Sequence, residues 1–207
     1  AKEENDMKAG ILRLRGTFIT GVVFLLVVSC GTTAPTRFYL MDPMADAGPG
    51  SGAAGTKGAS IALAHVELPE HLNRPQIVTR QNGHQLQVDE FNRWAESLGA
   101  HVTAILAENL SKQLGTEGVV ITNRHKQTDS DFHLSIQILR FDGWPGKEAV
   151  LDCRWYLGTG DEPADEHPER FRITRSVEGD GYPDLVAALS RMLADLSREI
   201  ARQIKGS

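Results

Sequence analysis

Phe132 to Leu157 reads FHLSIQILRFDGWPGKEAVLDCRWYL, and its periodicity decides the fold class. Phe132, Leu134, Ile136 and Ile138 alternate with His133, Ser135 and Gln137, the period-two mark of a strand with one buried face. At Leu139 and Phe141 the phase slips, which predicts a β-bulge. Gly143-Trp144-Pro145-Gly146 supplies a turn, and Ala149, Leu151, Cys153, Trp155 and Leu157 then alternate with polar neighbours. Phe171, Ile173 and Val177 continue the pattern after an acidic stretch, Gly158 to Glu169. These segments predict antiparallel strands with one solvated side.

Outward from this stretch the period changes. Leu185, Leu189, Met192, Leu193, Leu196, Ile200 and Ile204 recur at helical steps, with Asp184 near the start. Upstream, a second apolar stripe runs Trp94, Leu98, Val102, Ile105, Leu106, Leu110 and Leu114, so a helix is expected from Arg93, ending at Gly115 and Gly118. Arg37 to Met41, Ile61 to Val66, Gln76 to Arg80, Gln85 to Val88 and Val119 to Ile121 read as further strands. Asn82-Gly83 favours a type I′ turn, so the third and fourth of these form a predicted hairpin. The expectation is an α+β domain: a mainly antiparallel or mixed sheet with two amphipathic helices packed on one face.

The N-terminal end reads differently. From Met7, Lys8, Arg13 and Arg15 precede an uncharged apolar run, Thr17 to Val28, closed by Ser29-Cys30. That is a secretory leader, too short to span a bilayer comfortably. A small residue before cysteine is what lipoprotein signal peptidase requires. Residues 1–29 are therefore expected to be a signal peptide, with residues 1–6 upstream of the true start. Cys30 is expected to be acylated and become the first mature residue, anchored through chains that each contribute roughly 0.8 kcal/mol per buried CH₂. Gly31 follows where an aspartate would redirect sorting, so the expected location is the periplasmic face of the outer membrane. Residues 30–36 form a lipidated tether and 37–207 a single periplasmic domain. Residues 42–60, rich in Gly, Ala, Pro and Ser, are expected to be a flexible loop within it.

The chain carries a formal charge of −5, and loss of residues 1–29 would make it −6. An acidic domain lacks the electrostatic footprint for nucleic acid. It also gives no reason to expect adhesion to anionic headgroups. The seven histidines (65, 71, 84, 101, 125, 133 and 167) show no HxxxH or HExxH spacing, so neither a metal site nor any cofactor is expected. No GxSxG elbow or P-loop occurs, the glycine-rich stretch from Gly48 to Gly58 lacks the strand-helix context of a phosphate loop, and Cys153 reads as a small core residue. The acidic run holding Asp161, Glu162, Asp165 and Glu166 reads as solvated charge rather than a calcium loop. No catalytic residue is expected.

Four stretches together carry a resemblance. They are Arg37-Phe38-Tyr39-Leu40 after the acylation signal, VELPEHLNRPQIV from Val66 to Val78, Arg93-Trp94-Ala95-Glu96 to Leu98, and Leu106-Ala107-Glu108-Asn109-Leu110. With these the chain resembles the ABC-type transport auxiliary lipoprotein family. The resemblance implies an accessory subunit that docks to an MCE-domain protein of an inner-membrane phospholipid transport system. It also implies assembly as a homo-oligomeric ring. Pro69 and Pro75 restrict the residues before them, so the segment between is expected to project and present His71, Leu72, Asn73 and Arg74 to a partner. Two other readings remain open: an outer-membrane assembly lipoprotein that chaperones or plugs a β-barrel, and a periplasmic lipid-binding domain.

Overall fold

The structure, a computed structural model, describes residues 34–45, 58–122, 129–159 and 168–206. The leader, Cys30, most of the Gly/Ala stretch and most of the acidic run lie outside the described residues, as do His125 and His167. The described elements are β1 (Arg37–Tyr39), β2 (Ile61–Ala64), β3 (Gln76–Arg80), β4 (Leu86–Trp94), α1 (Leu98–Leu114), β5 (Val119–Thr122), β6 (Phe132–Gly143), β7 (Glu148–Thr159), β8 (Glu169–Ser176) and α2 (Tyr182–Gly206).

The alternation in β6 and β7 pairs the two strands antiparallel along almost their whole length, from Phe132 opposite Thr159 to Gly143 opposite Ala149. The register shifts between Ile138 and Arg140, where the phase of the sequence slips. β8 adds antiparallel to β7, with Cys153 opposite Phe171 and Leu151 opposite Ile173. On the other side β2 runs parallel to both β6 and β5, giving the order β5-β2-β6-β7-β8. All four residues of β2 are buried, as a parallel strand covered on both faces must be.

A second, three-stranded sheet has the order β1-β4-β3, with β1 parallel to β4 and β3 antiparallel to it. The α+β class is as expected, but the strands divide between two mixed sheets. Both helices pack against each other and against the five-stranded sheet. The seven apolar positions expected on α2 are each 2% exposed or less. Leu98, Val102, Ile105, Leu106, Leu110 and Leu114 line the buried side of α1, and Gly115, at φ 63°, closes that helix in the left-handed conformation.

Two local expectations need correction. Arg93 and Trp94 belong to β4, not to the helix. Trp94 N–H donates to the Pro75 carbonyl at 2.7 Å and Ala95 N–H to the Tyr39 carbonyl at 3.0 Å, so sheet bonding holds the chain until Ser97. The four-residue step from Trp94 to Leu98 merely continues the helical spacing across a strand end. The β3–β4 hairpin is present, but Asn82 and Gly83 do not have the positive φ that a type I′ turn needs. Instead Gln81 N–H donates to the Gln85 carbonyl, and Asn82 Oδ1 accepts from the N–H groups of His84 and Gln85. The asparagine side chain, not left-handed backbone, shapes this longer loop.

Candidate docking surfaces

Three surfaces of the domain bear on binding. The first is the segment entering β3. Glu70–Leu72 forms one 3-10 turn, with Leu72 N–H donating to the Pro69 carbonyl at 2.9 Å. That turn drives Leu72 into the core, where it is 2% exposed, so it is not presented as the two prolines suggested. His71 is half-buried, and its Nε2 has no partner among the described residues. Asn73 and Arg74 remain exposed.

The second surface is a strap. After β1 the chain crosses both helices, held by polar contacts at three of the four residues from Met41 to Met44. Met41 N–H donates to His101 Nε2 at 2.9 Å, and Asp42 N–H donates to Ser190 Oγ on α2 at 3.2 Å. Met44 N–H donates to Asn109 Oδ1 at 2.8 Å, and Lys112 Nζ donates to the Met44 carbonyl at 3.0 Å. His101 Nδ1 faces Glu96, and its Nε2 lies 3.0 Å from the Met41 carbonyl as well, so both polar groups of Met41 meet the one ring nitrogen.

The third is the face of the five-stranded sheet turned away from the helices. Ile138, Leu151, Cys153 and Trp155 point into the core, so alternation puts Arg140, Asp142, Asp152, Arg154, Arg170 and Arg172 on the opposite face. Asp152 accepts a two-point bond from Arg170, Nε to Oδ1 at 3.0 Å and Nη2 to Oδ2 at 2.7 Å. Asp142, with no side-chain exposure, is held by Arg80 (Nη2 to Oδ2, 2.8 Å) and Arg140 (Nε to Oδ1, 2.8 Å). A cleft of about 510 Å³ opens beside this pair, lined by Arg80, Arg140, Trp144, Lys147 and the Asn82-Gly83 loop. None of these cations was singled out in the sequence, where an arginine alternating with apolar residues reads as a solvated strand face.

The hydrogen bonds from Arg170 hold the Asp152 carboxyl below its ordinary value of 3.8; burial opposes them, and the charges of Arg170, Arg172 and Arg154 add to the lowering. A carboxylate whose folded pKa is depressed contributes stability above its unfolded pKa and loses it as pH falls through the folded value. Asp152→Asn is therefore expected to flatten the acid limb of the unfolding curve below about pH 4. Urea titrations of parent and variant at pH 7 and pH 3 check this; equal pH dependence in the two would rule it out.

Burial pushes the Cys153 thiol up to about 12, and the neighbouring Asp152 charge adds to the shift, so no thiolate nucleophile is available at neutral pH. Among the described residues no group of three or more His, Cys, Asp or Glu could hold a metal ion. Among them, too, no helix is long and apolar enough to cross a membrane.

The class these features define is a small α+β domain, with its charged groups arranged on surfaces. The chain belongs to the family described as ABC-type transport auxiliary lipoprotein component, whose model matches residues 39–201. That description is of an auxiliary component rather than of an enzyme. No curated protein matches the chain. Among solved structures, an uncharacterized protein aligns at 22% identity with a TM-score of 0.67, covering 83% of this chain and 99% of its own. Protein XCC0632 from Xanthomonas campestris, assigned to the family model DUF330, aligns at 18% identity and the same TM-score, over 83% of this chain and 97% of its own. At such identities these likenesses show the fold.

Proposed function

We propose that this chain is the outer-membrane-anchored docking subunit of an envelope phospholipid transport system, binding an MCE-domain protein and catalysing nothing. The observation that carries the reading is the family match over residues 39–201, which sits directly behind an acylation signal ending at Cys30. Residues 1–29 are the leader, 30–36 the lipidated tether, and Gly31 after Cys30 favours the outer membrane. Asn73 and Arg74, with His71 beside them, are the exposed part of the segment assigned to the partner, and Leu72 supports it from within. A ring of identical subunits would repeat that segment around an opening that receives the partner.

Full-length tagged lipoprotein, crosslinked and purified from its own host, is expected to bring down an MCE-domain protein. Cys30→Ser is expected to leave the membrane fraction and to recover at least about ten-fold less partner, because attachment rests on the acyl chains. No MCE protein recovered where its gene is present would overturn the reading. A β-barrel protein in its place would support an assembly role, and a stoichiometric bound lipid would support a lipid-binding domain.

A further inference from the structure

The overall charge of the chain hides how its cations are distributed. Among the described residues five arginines (80, 140, 154, 170 and 172) and Lys147 gather on and beside the outer face of β6–β7–β8, with Asp142, Asp152 and Glu148 on that side and Glu67 and Asp180 at its edges. Two of these carboxylates, Asp142 and Asp152, are almost wholly buried beneath the arginines they orient. Arg154 stands directly opposite Arg170 in the register, an arrangement that costs stability unless an anion lies over it. Arg170 is engaged by Asp152, but Arg154 is exposed and makes no hydrogen bond among the described residues, its charge reaching Asp152 only through space. Arg140 spends only Nε on Asp142, which leaves both of its terminal nitrogens uncommitted beside the cleft. At that end Trp144, half-buried, supplies an apolar wall.

We infer that this face, from Arg154 and Arg170 across to the Trp144 cleft, docks an acidic segment of a protein partner. The inference rests on the reading of the chain as a docking subunit and names a surface for it. Charge complementarity sets the sign of the occupant. Three features favour a peptide over a bilayer. The cations are arginines rather than lysines, and guanidinium forks match carboxylates two-point. Their fixed partners, Asp142 and Asp152, hold them in place before binding. The cleft is concave, with tryptophan among arginines, the composition that dominates binding energy at protein interfaces.

The test uses the full-length lipoprotein in neutral detergent, with fluorescein-labelled octaglutamate as probe and octalysine as control. Octaglutamate is expected to bind, to weaken as salt rises, and to bind at least about ten-fold more weakly to the Arg154→Glu/Lys147→Glu variant. Both substituted residues are exposed and neither hydrogen-bonds a carboxylate among the described residues, so the variant is expected to stay folded, which urea unfolding beside the parent checks. Arg154→Lys should restore part of the binding. Equal binding by parent and charge-reversed variant would overturn the inference, as would preference for short-chain phosphatidylglycerol over octaglutamate. Neutralising Asp161, Glu162, Asp165 and Glu166 gives a further check: binding that appears only in that variant would make the chain's own acidic run the occupant. Crosslinked purification separates the two claims. If the parent recovers an MCE protein and the charge-reversed variant recovers it equally, this surface fails while the accessory role stands. If the parent recovers none, the role itself fails.

Discussion

Trp155→Ala is expected to lower the unfolding free energy by about 3–5 kcal/mol, the usual loss when a buried tryptophan is truncated. Trp155 is 2% exposed, lies on the core face of β7 opposite Ile136, and is the largest of the fully buried side chains. Its neighbours belong to a hairpin of two twelve-residue strands and cannot collapse freely into the vacated space. The midpoint of urea unfolding, measured with an unchanged m-value, reads the loss directly. A change below about 1 kcal/mol would place the indole outside the core.

The second large effect concerns Asp142 and is asymmetric. Replacing Arg80 and Arg140 together by methionine strands a carboxylate that has no contact with water, and the expected loss is about 3–5 kcal/mol. Asp142→Leu removes the same ion pairs but leaves two guanidiniums whose side chains are 18% and 29% exposed and can turn to solvent. It should therefore destabilise less than the double substitution, since an ion left near water costs less than one sealed from it. Equilibrium unfolding of both variants at neutral pH decides the matter. The reverse ranking would mean that the arginines, not the carboxylate, are the strained members.

The helices and the β6–β7 hairpin were legible because each depends on a local period. Every apolar position expected on α2 is buried, and even the bulge after Ile138 showed as a phase slip. What escaped was non-local. Nothing in Arg37-Phe38-Tyr39 tells that it runs parallel to Asn92-Arg93-Trp94, and without that pairing Trp94 joins the helical stripe by its spacing alone. The proline-flanked segment misled for a related reason. Leu72 is apolar and short-range rules put it on a projecting loop, whereas one 3-10 turn rotates it inward. The arginine face was hidden most completely. Arg140, Arg154, Arg170 and Arg172 lie on three strands, and only the register places them side by side over Asp152.

The strap between Met41 and Met44 has a mechanical consequence. A pull on the chain from its N-terminal side is delivered first to β1 and its pairing with β4, and behind them to the strap bonds on His101, Asn109 and Lys112 of α1 and Ser190 of α2. The helix pair behind those bonds takes the tension that β1 passes on. β6, β7 and β8, which carry Arg140, Arg154, Arg170 and Arg172, lie in the other sheet, so a pull at one end reaches their binding geometry through the helices and β3.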